Sequence, residues 1–438
     1  MIEKEVQELL SFIDGNPTAY HTTASVRNIL LKEGFSELLE SRRWQLEPGG
    51  SYFVCRNGSS ILAFRMGEQL ENYSFNVAAA HTDSPCFRIK ENAEIHMGRK
   101  YTKLNTEGYG GMICSTWMDR PLSVAGRVLI KENNAITSRL LTLDRDLLMI
   151  PSVAIHMDRE VNKGHHYNPQ VDLQPLLGPA GCRSLTALLA EELGVAEQDI
   201  LDRDLVLAPR QQASRLGPDG ELFVSPRIDD LASAAVTLKA FLEAAPHTDD
   251  ACAPVWAMLD NEEVGSGTRQ GAASSFLRDT LDRIYDAIPH SAQGQQRAFA
   301  NSFLLSADNA HAAHPAFPGK ADAANPVRLG GGVVLKYNAS QKYTTTGLTG
   351  GVFREICRRA GVPVQVFANR ADMPGGSTLG NLQSLTLPIP MADIGLPQLA
   401  MHAAVETAAV ADLQAMTEAV TAFYRVHLRC LGDGEYLL

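Results

Sequence analysis

The chain has 438 residues, too many for one small domain, and its length alone suggests two or three. Hydrophobic residues make up 45 % and charged residues 20 %, which allows a large core and excludes global disorder. With 39 Lys and Arg against 50 Asp and Glu, the net charge is −11 and no basic run occurs. That balance argues against a nucleic-acid or anionic-membrane partner, and any attraction for an acidic substrate must be local.

The opening segment predicts a helix. Val6, Leu9, Leu10, Phe12 and Ile13 share one side, and Gly15-Asn16-Pro17 ends it. The same charged, amphipathic start lacks the apolar stretch of a signal peptide, and no apolar run reaches membrane-spanning length, so a cytoplasmic location is expected. A second helix is expected over Ala24–Lys32, and Phe75–Ala80 reads as a buried strand delivering His81-Thr82-Asp83. From about 91 to 225 the texture changes to short strand-like segments, such as Ser123–Ile130 and Leu205–Ala208. Polar clusters such as His165-His166-Tyr167-Asn168-Pro169 break them up. This predicts an inserted, mostly β domain between a first part over 1–90 and a second over 226–438.

From 226 onward, helices alternate with apolar runs. Helix Leu231–Ala244 precedes strand Pro254–Leu259. Strands then follow at Phe303–Ala307, Gly332–Lys336, Val364–Phe367 and Leu387–Ala392, with a final helix near Ala403–Leu428. Alternation of this kind predicts an α/β fold with helices on both sides of the sheet. Seven scattered cysteines with no C-x-x-C spacing fit reduced structural thiols rather than a disulfide framework or a thiolate zinc site.

Acidic and histidine residues recur where these strands end. His81 and Asp83 follow one strand, Glu262-Glu263 another and Asp308 a third, while Asp229-Asp230 precede a helix and His402 follows Gln398-Leu399-Ala400-Met401. In an open α/β sheet, ligands gather beyond the carboxyl ends of the strands, so these distant residues can converge. Taken singly, each has a blander role: Asp229-Asp230 as helix capping, Glu262-Glu263 as a solvated turn, Asp308 and His402 as loop residues. Five such coincidences together predict a site. Oxygen ligands with two imidazoles suit zinc, manganese or cobalt, and five candidate ligands suit two ions sharing a carboxylate. No H-E-x-x-H, G-x-S-x-G, Walker A or intact G-x-G-x-x-G motif competes.

The segments Ala80-His81-Thr82-Asp83-Ser84-Pro85, Ser225-Pro226-Arg227-Ile228-Asp229 and Asp260-Asn261-Glu262-Glu263-Val264-Gly265-Ser266 resemble signatures of the aspartyl aminopeptidases. So do Ser306-Ala307-Asp308-Asn309-Ala310-His311 and Gln398-Leu399-Ala400-Met401-His402, and the resemblance runs over nearly the whole chain. It implies a phosphorylase-like catalytic domain with a mixed sheet, interrupted by a β domain that builds a homo-oligomer, a dodecamer. It implies two divalent ions per subunit, Zn²⁺ first, with Mn²⁺ or Co²⁺ as alternatives. One ion would be held by His81, Asp229 and Glu263 and the other by Asp229, Asp308 and His402. Asp83 would orient His81, and Glu262 would be the general base.

The substrates implied are short peptides with an N-terminal Asp or Glu. Lys336 would meet the acidic side chain, with His311 and Tyr343 as further donors, and His156 would complete a neighbouring subunit's site. Two other readings stay open: an aminopeptidase preferring neutral residues, and a non-catalytic oligomeric scaffold. Metal content measured alongside turnover of a substrate panel separates them.

Overall fold

The computed structural model describes residues 2–67, 74–244, 251–288, 291 and 293–438. Its central feature is a nine-stranded mixed sheet. In spatial order the strands are Ser36–Leu38, Ser51–Arg56, Ser60–Arg65, Cys252–Leu259, Ser74–His81, Phe303–Ala307, Met391–Gly395, Val333–Tyr337 and Val364–Ala368. Four consecutive members, from Cys252–Leu259 to Met391–Gly395, run parallel, and Val333–Tyr337 runs against them. Their carboxyl ends therefore open on one edge, as doubly wound sheets require of a ligand site.

The central strands are covered on both faces, and the alternation of side chains decides which residue meets which layer. Ala78, Ala80, Trp256, Met258, Phe303 and Leu305 face the helices Ile2–Gly15, Ala19–Lys32, Ile228–Ala244, Gly347–Ala360 and Val410–Tyr424. Val77, Ala79, Val255, Ala257 and Leu304 face Phe276–Asp286, Gly294–Ala300 and Leu379–Gln383. Full burial of each large side chain contributes about 1.5–3 kcal/mol, so this double-sided core anchors the strand ends rigidly.

A second, antiparallel sheet of six strands lies within Cys86–Pro209, in the order Ala135–Thr142, Leu122–Glu132, Ile200–Pro209, Cys86–Met97, Tyr101–Tyr109, Leu176–Pro179. It has its own core around Phe87, Trp117, Val124 and Leu205. A third sheet joins Ser214–Leu216 and Leu222–Ser225 to Glu406–Ala409, Pro397–Leu399 and Ala310–His311. The segment expected to be inserted over 91–225 thus differs from the second sheet at both ends. The sheet starts five residues earlier, and 214–225 pairs instead with the C-terminal part of the chain.

Three expected elements shift. The second helix begins at Ala19 because Thr18 caps it, its side chain accepting from the His21 N–H. The strand expected at Leu387–Ala392 is Met391–Gly395; Pro388 and Pro390 lack the N–H a central strand needs. The final helix is Val410–Tyr424, because Glu406–Ala409, alanine-rich as it is, pairs with strands on both sides. Among the described residues no disulfide links the seven cysteines, and no helix is long and apolar enough to cross a membrane.

Candidate active site

The parallel strand ends bring the expected residues together. Leu259 is in register with His81, so the loop Asp260–Glu263 leaves the sheet beside the His81 ring. Asp308 follows the next strand and donates its N–H to Ile394 O at 3.0 Å. Asp229 and Asp230 open the helix Ile228–Ala244 with non-helical backbone, joined by a cis peptide, so the regular helix starts at Leu231 as the sequence predicts. His402 sits after strand Pro397–Leu399 in a left-handed conformation with φ of 66°.

Two triads share Asp229. His81 Nε2 is 3.5 Å from Asp229 Oδ1 and 3.9 Å from Asp308 Oδ1. His402 Nε2 is 3.4 Å from Asp229 Oδ2 and 3.4 Å from Glu263 Oε2. His81, Asp229, Asp230 and Asp308 form one group of potential ligand atoms within 4.8 Å, and Asp229, Glu263 and His402 form another. A third group joins His81 to Glu262 and Glu263, so Glu263 lies within ligand reach of both imidazoles, while Asp308 groups with His81. Strand order allows both, because Ser74–His81 lies between Phe303–Ala307, which leads to Asp308, and Cys252–Leu259, which leads to the two glutamates.

Asp83 organises the other side. Its carboxylate accepts the backbone N–H of Glu262 and of Glu263, both at 3.1 Å, and the Tyr109 hydroxyl at 2.7 Å. The His81 ring meets this residue through Nδ1, 3.0 Å from the Asp83 carbonyl and 3.4 Å from its carboxylate. Second-sheet residues complete the wall. Tyr109 also accepts from the Asn261 amide at 2.9 Å, and the Gly111 carbonyl lies 2.5 Å from His402 Nδ1. Gly110, at φ of 73°, passes so near Glu263 that a β-carbon there would lie 3.1 Å from the Glu263 β-carbon. Tyr109, Gly111 and Glu406 were not among the residues read from the sequence. The Gly110-Gly111 pair was the available signal for a close backbone approach.

The charge balance suits cations. Burial, reinforced by neighbouring carboxylates, pushes Glu262 up to about 8 and Glu263, Asp230 and Asp308 above their usual range. Burial alone would push both imidazoles down, but the carboxylates outweigh it: His81 rises well above its ordinary value and His402 to about 9. Asp229 is also buried, yet its contacts to His402 and His81 hold it well below the carboxylate range. Acids and imidazoles shifted upward together mark a cluster short of positive charge. Asp229 Oδ1, Asp230 Oδ1 and Glu263 Oε1 are buried without a hydrogen-bond partner, which water-excluded oxygens do not tolerate cheaply. Oxygen and imidazole donors left in this state fit divalent ions.

The remaining expected residues are placed unequally. Lys336 is buried, with Nζ 3.2 Å from Asp308 Oδ2 and donating to Asn309 O at 2.8 Å. The Tyr343 ring lies 5.3 Å from the same ammonium, and Phe367 packs between Tyr343 and His311. His156 lies far along the chain in an exposed loop beside Val153, Ile155 and Met157, also exposed, and in no ligand group of the described residues.

Residues 12–424 match the family described as aminopeptidase I zinc metalloprotease, M18. A Clostridium novyi protein named probable M18 family aminopeptidase 2 is 41 % identical over 417 residues, covering 93 % of this chain and 96 % of its own length. Among solved structures, Ape4 in a cryo-EM structure of the Ape4 and Nbr1 complex superposes with a TM-score of 0.93 at 32 % identity, over 97 % of this chain and 86 % of that one. The S. cerevisiae mApe1 dodecamer superposes with a TM-score of 0.85 at 25 % identity over 96 % of each chain. Matched almost from end to end, and carrying a metal-ligand cluster at the strand ends, this chain belongs to the M18 family of zinc metallo-aminopeptidases.

Proposed function

We propose that this metallo-aminopeptidase holds two divalent ions, zinc first, and removes N-terminal Asp or Glu from short peptides with Glu262 as general base. The observation that carries the reading is the pair of triads meeting at Asp229: His81 and Asp308 on one oxygen's side, His402 and Glu263 on the other's. The ions, when bound, polarise the scissile carbonyl and ease deprotonation of the attacking water. Glu262 takes that proton and returns it to the leaving amine, while Asp83 fixes the backbone of both glutamates so that adjacent residues keep different tasks.

Glu262→Gln is expected to retain both ions and lose turnover by roughly 10²–10⁴-fold. Metal stoichiometry and rate are measured on the same preparation; near-parental turnover with ions intact removes Glu262 from this role.

Lys336, His311 and Tyr343 lie close enough to form an acidic-residue pocket beside Asp308. One observation favours broader specificity instead: the Lys336 ammonium already pairs with Asp308, and Ala310, Val327, Val334 and Phe367 make its surroundings apolar. A substrate panel decides, since a wild-type preference for Leu over Asp overturns the acidic reading. The exposed Val153, Ile155 and Met157 flanking His156 support a homo-oligomer in which that loop meets a second copy, consistent with the dodecamer named for mApe1. His156 would then contribute to the neighbour's site. A structure of the assembled protein with His156 remote from every pair of triads removes that contribution.

A further inference from the structure

Glu406 is buried, 2 % exposed, at the start of the third-sheet strand Glu406–Ala409. Its two carboxylate oxygens serve two of the candidate ligands through the backbone. Oε1 accepts the His402 N–H at 2.7 Å, and Oε2 accepts the Asp229 N–H at 2.9 Å. The two residues are remote in sequence, and their peptide planes are held by one side chain. Gln398 Nε2 donates to the same Oε1 at 3.3 Å, and Gln398 Oε1 accepts from Asn309 Nδ2 at 2.7 Å. Asn309 also donates to Ile228 O at 2.8 Å and accepts from Ser233 Oγ at 2.6 Å. The chain Glu406–Gln398–Asn309 therefore touches the segments bearing Asp229, Asp308 and His402. All three of its members are 1–2 % exposed.

We infer that Glu406 is a positioning residue for the metal centre, an inference that rests on the two-ion reading above. Two observations point to positioning rather than to packing alone. His402 and Ala400 both adopt left-handed backbone at φ of 66° and 56°, a conformation that L-residues avoid unless something holds it. Asp229, one of the non-helical residues at the head of its helix, would lose the acceptor for its N–H. A carboxylate is the one side chain of this size with two acceptors and no donor, so it can receive two converging N–H groups at once. An amide in the same place offers one oxygen and presents N–H groups to the other. With the turn at His402 and the head of the helix released, Nε2 of His402 and the Asp229 carboxylate no longer converge on the same point. The group Asp229–Glu263–His402 is then affected more than the group His81–Asp229–Asp308, because only the former contains His402.

The test is cobalt binding by the full-length parent and by Glu406→Gln, followed through chelator competition and the visible absorption of bound Co²⁺. The expected result is about 10–100-fold weaker binding of one of two equivalents, with an altered absorption band, as for the loss of groups that orient ligands from behind. Unchanged affinities and spectrum in a folded variant overturn the inference. A second measurement on the parent alone covers the case in which the variant does not fold. In metal-free protein, amide exchange across residues 398–406 should stay as slow as in the cobalt-loaded form, because Glu406 and not the ion holds the turn. Fast exchange there on removing the ion overturns it. A parent that binds no second equivalent of cobalt counts against the two-ion reading, while the exchange result still decides the role of Glu406.

Discussion

Lys336 shows how a residue legible in the sequence can be placed differently by the fold. As a strand-end cation it reads as pointing into the cleft; in the structure its ammonium is on Asp308 and the Asn309 carbonyl. An ammonium has three donors, so one direction remains for a substrate carboxylate. Lys336→Met is therefore expected to slow every substrate, since it leaves Asp308 without its partner. It should also lower the ratio of Asp to Leu or Ala turnover by at least about tenfold, as removing one member of a desolvated charge pair does. The kcat/KM ratio across the panel is the measurement; equal losses throughout assign Lys336 to Asp308 alone. The ligands themselves were readable because acidic residues directly after apolar strands have few structural reasons to be there. Which candidate lies beside which was not readable, because Glu263 and Asp308 arrive from the strands on either side of Ser74–His81 and both come within reach of His81. Glu406 was hidden for another reason: its contacts are to backbone N–H groups, which carry no sequence signature.

At the level of elements, the strand Met391–Gly395 illustrates what periodicity misses. Its apolar run was visible, but the strand expected at Leu387–Ala392 begins about four residues later, because that range takes in Pro388 and Pro390. Its last residue matters for the site. A β-carbon on Gly395 would lie 2.0 Å from the Asp308 carbonyl oxygen and 2.9 Å from the carbonyl carbon, so only glycine allows the two segments to lie this close. Gly395→Ala is expected to destabilise the protein by roughly 1–3 kcal/mol, the usual cost of overpacking. It should also reduce ion binding by displacing Asp308. Denaturation midpoint and metal content together check this; a variant with both unchanged shows that the backbone yields without moving the ligand. The buried strands Ser74–His81, Cys252–Leu259 and Phe303–Ala307 were legible as largely apolar runs, interrupted inside only by Asn76 and Ser306. Glu406–Ala409 was not, since its pairing partners supply what its alanines do not.

Across the whole molecule, the first and second sheets are tied at more than one place. His21, in the helix Ala19–Lys32, lies with Nδ1 2.8 Å from Thr18 Oγ1 and Nε2 3.1 Å from Thr142 Oγ1 on the second sheet. Burial, helped by the charge of Arg227, pushes His21 down to about 4 from the ordinary 6.5. Below pH 6.5 the unfolded chain takes up a proton that the folded one refuses, so stability falls as pH drops from about 6.5 toward 4. Between pH 7 and pH 5 this contributes a loss of about 2 kcal/mol. Parent protein is expected to lose that much more than His21→Gln over the same interval, by denaturant titration; parallel losses would place the acid sensitivity elsewhere. A further tie is the end of strand Tyr101–Tyr109. The second sheet reaches Asp83 through Tyr109, crowds Glu263 through Gly110 and receives His402 through Gly111. An outer sheet so joined to the reaction centre makes shape and loading two readings of one equilibrium. If two postures of that strand differ in cation affinity, whatever favours one of them changes occupancy by the same free energy, and occupancy returns the preference to the strand. A surface on the second sheet, far from any peptide bond being cut, would then have leverage over how readily the enzyme is charged with metal.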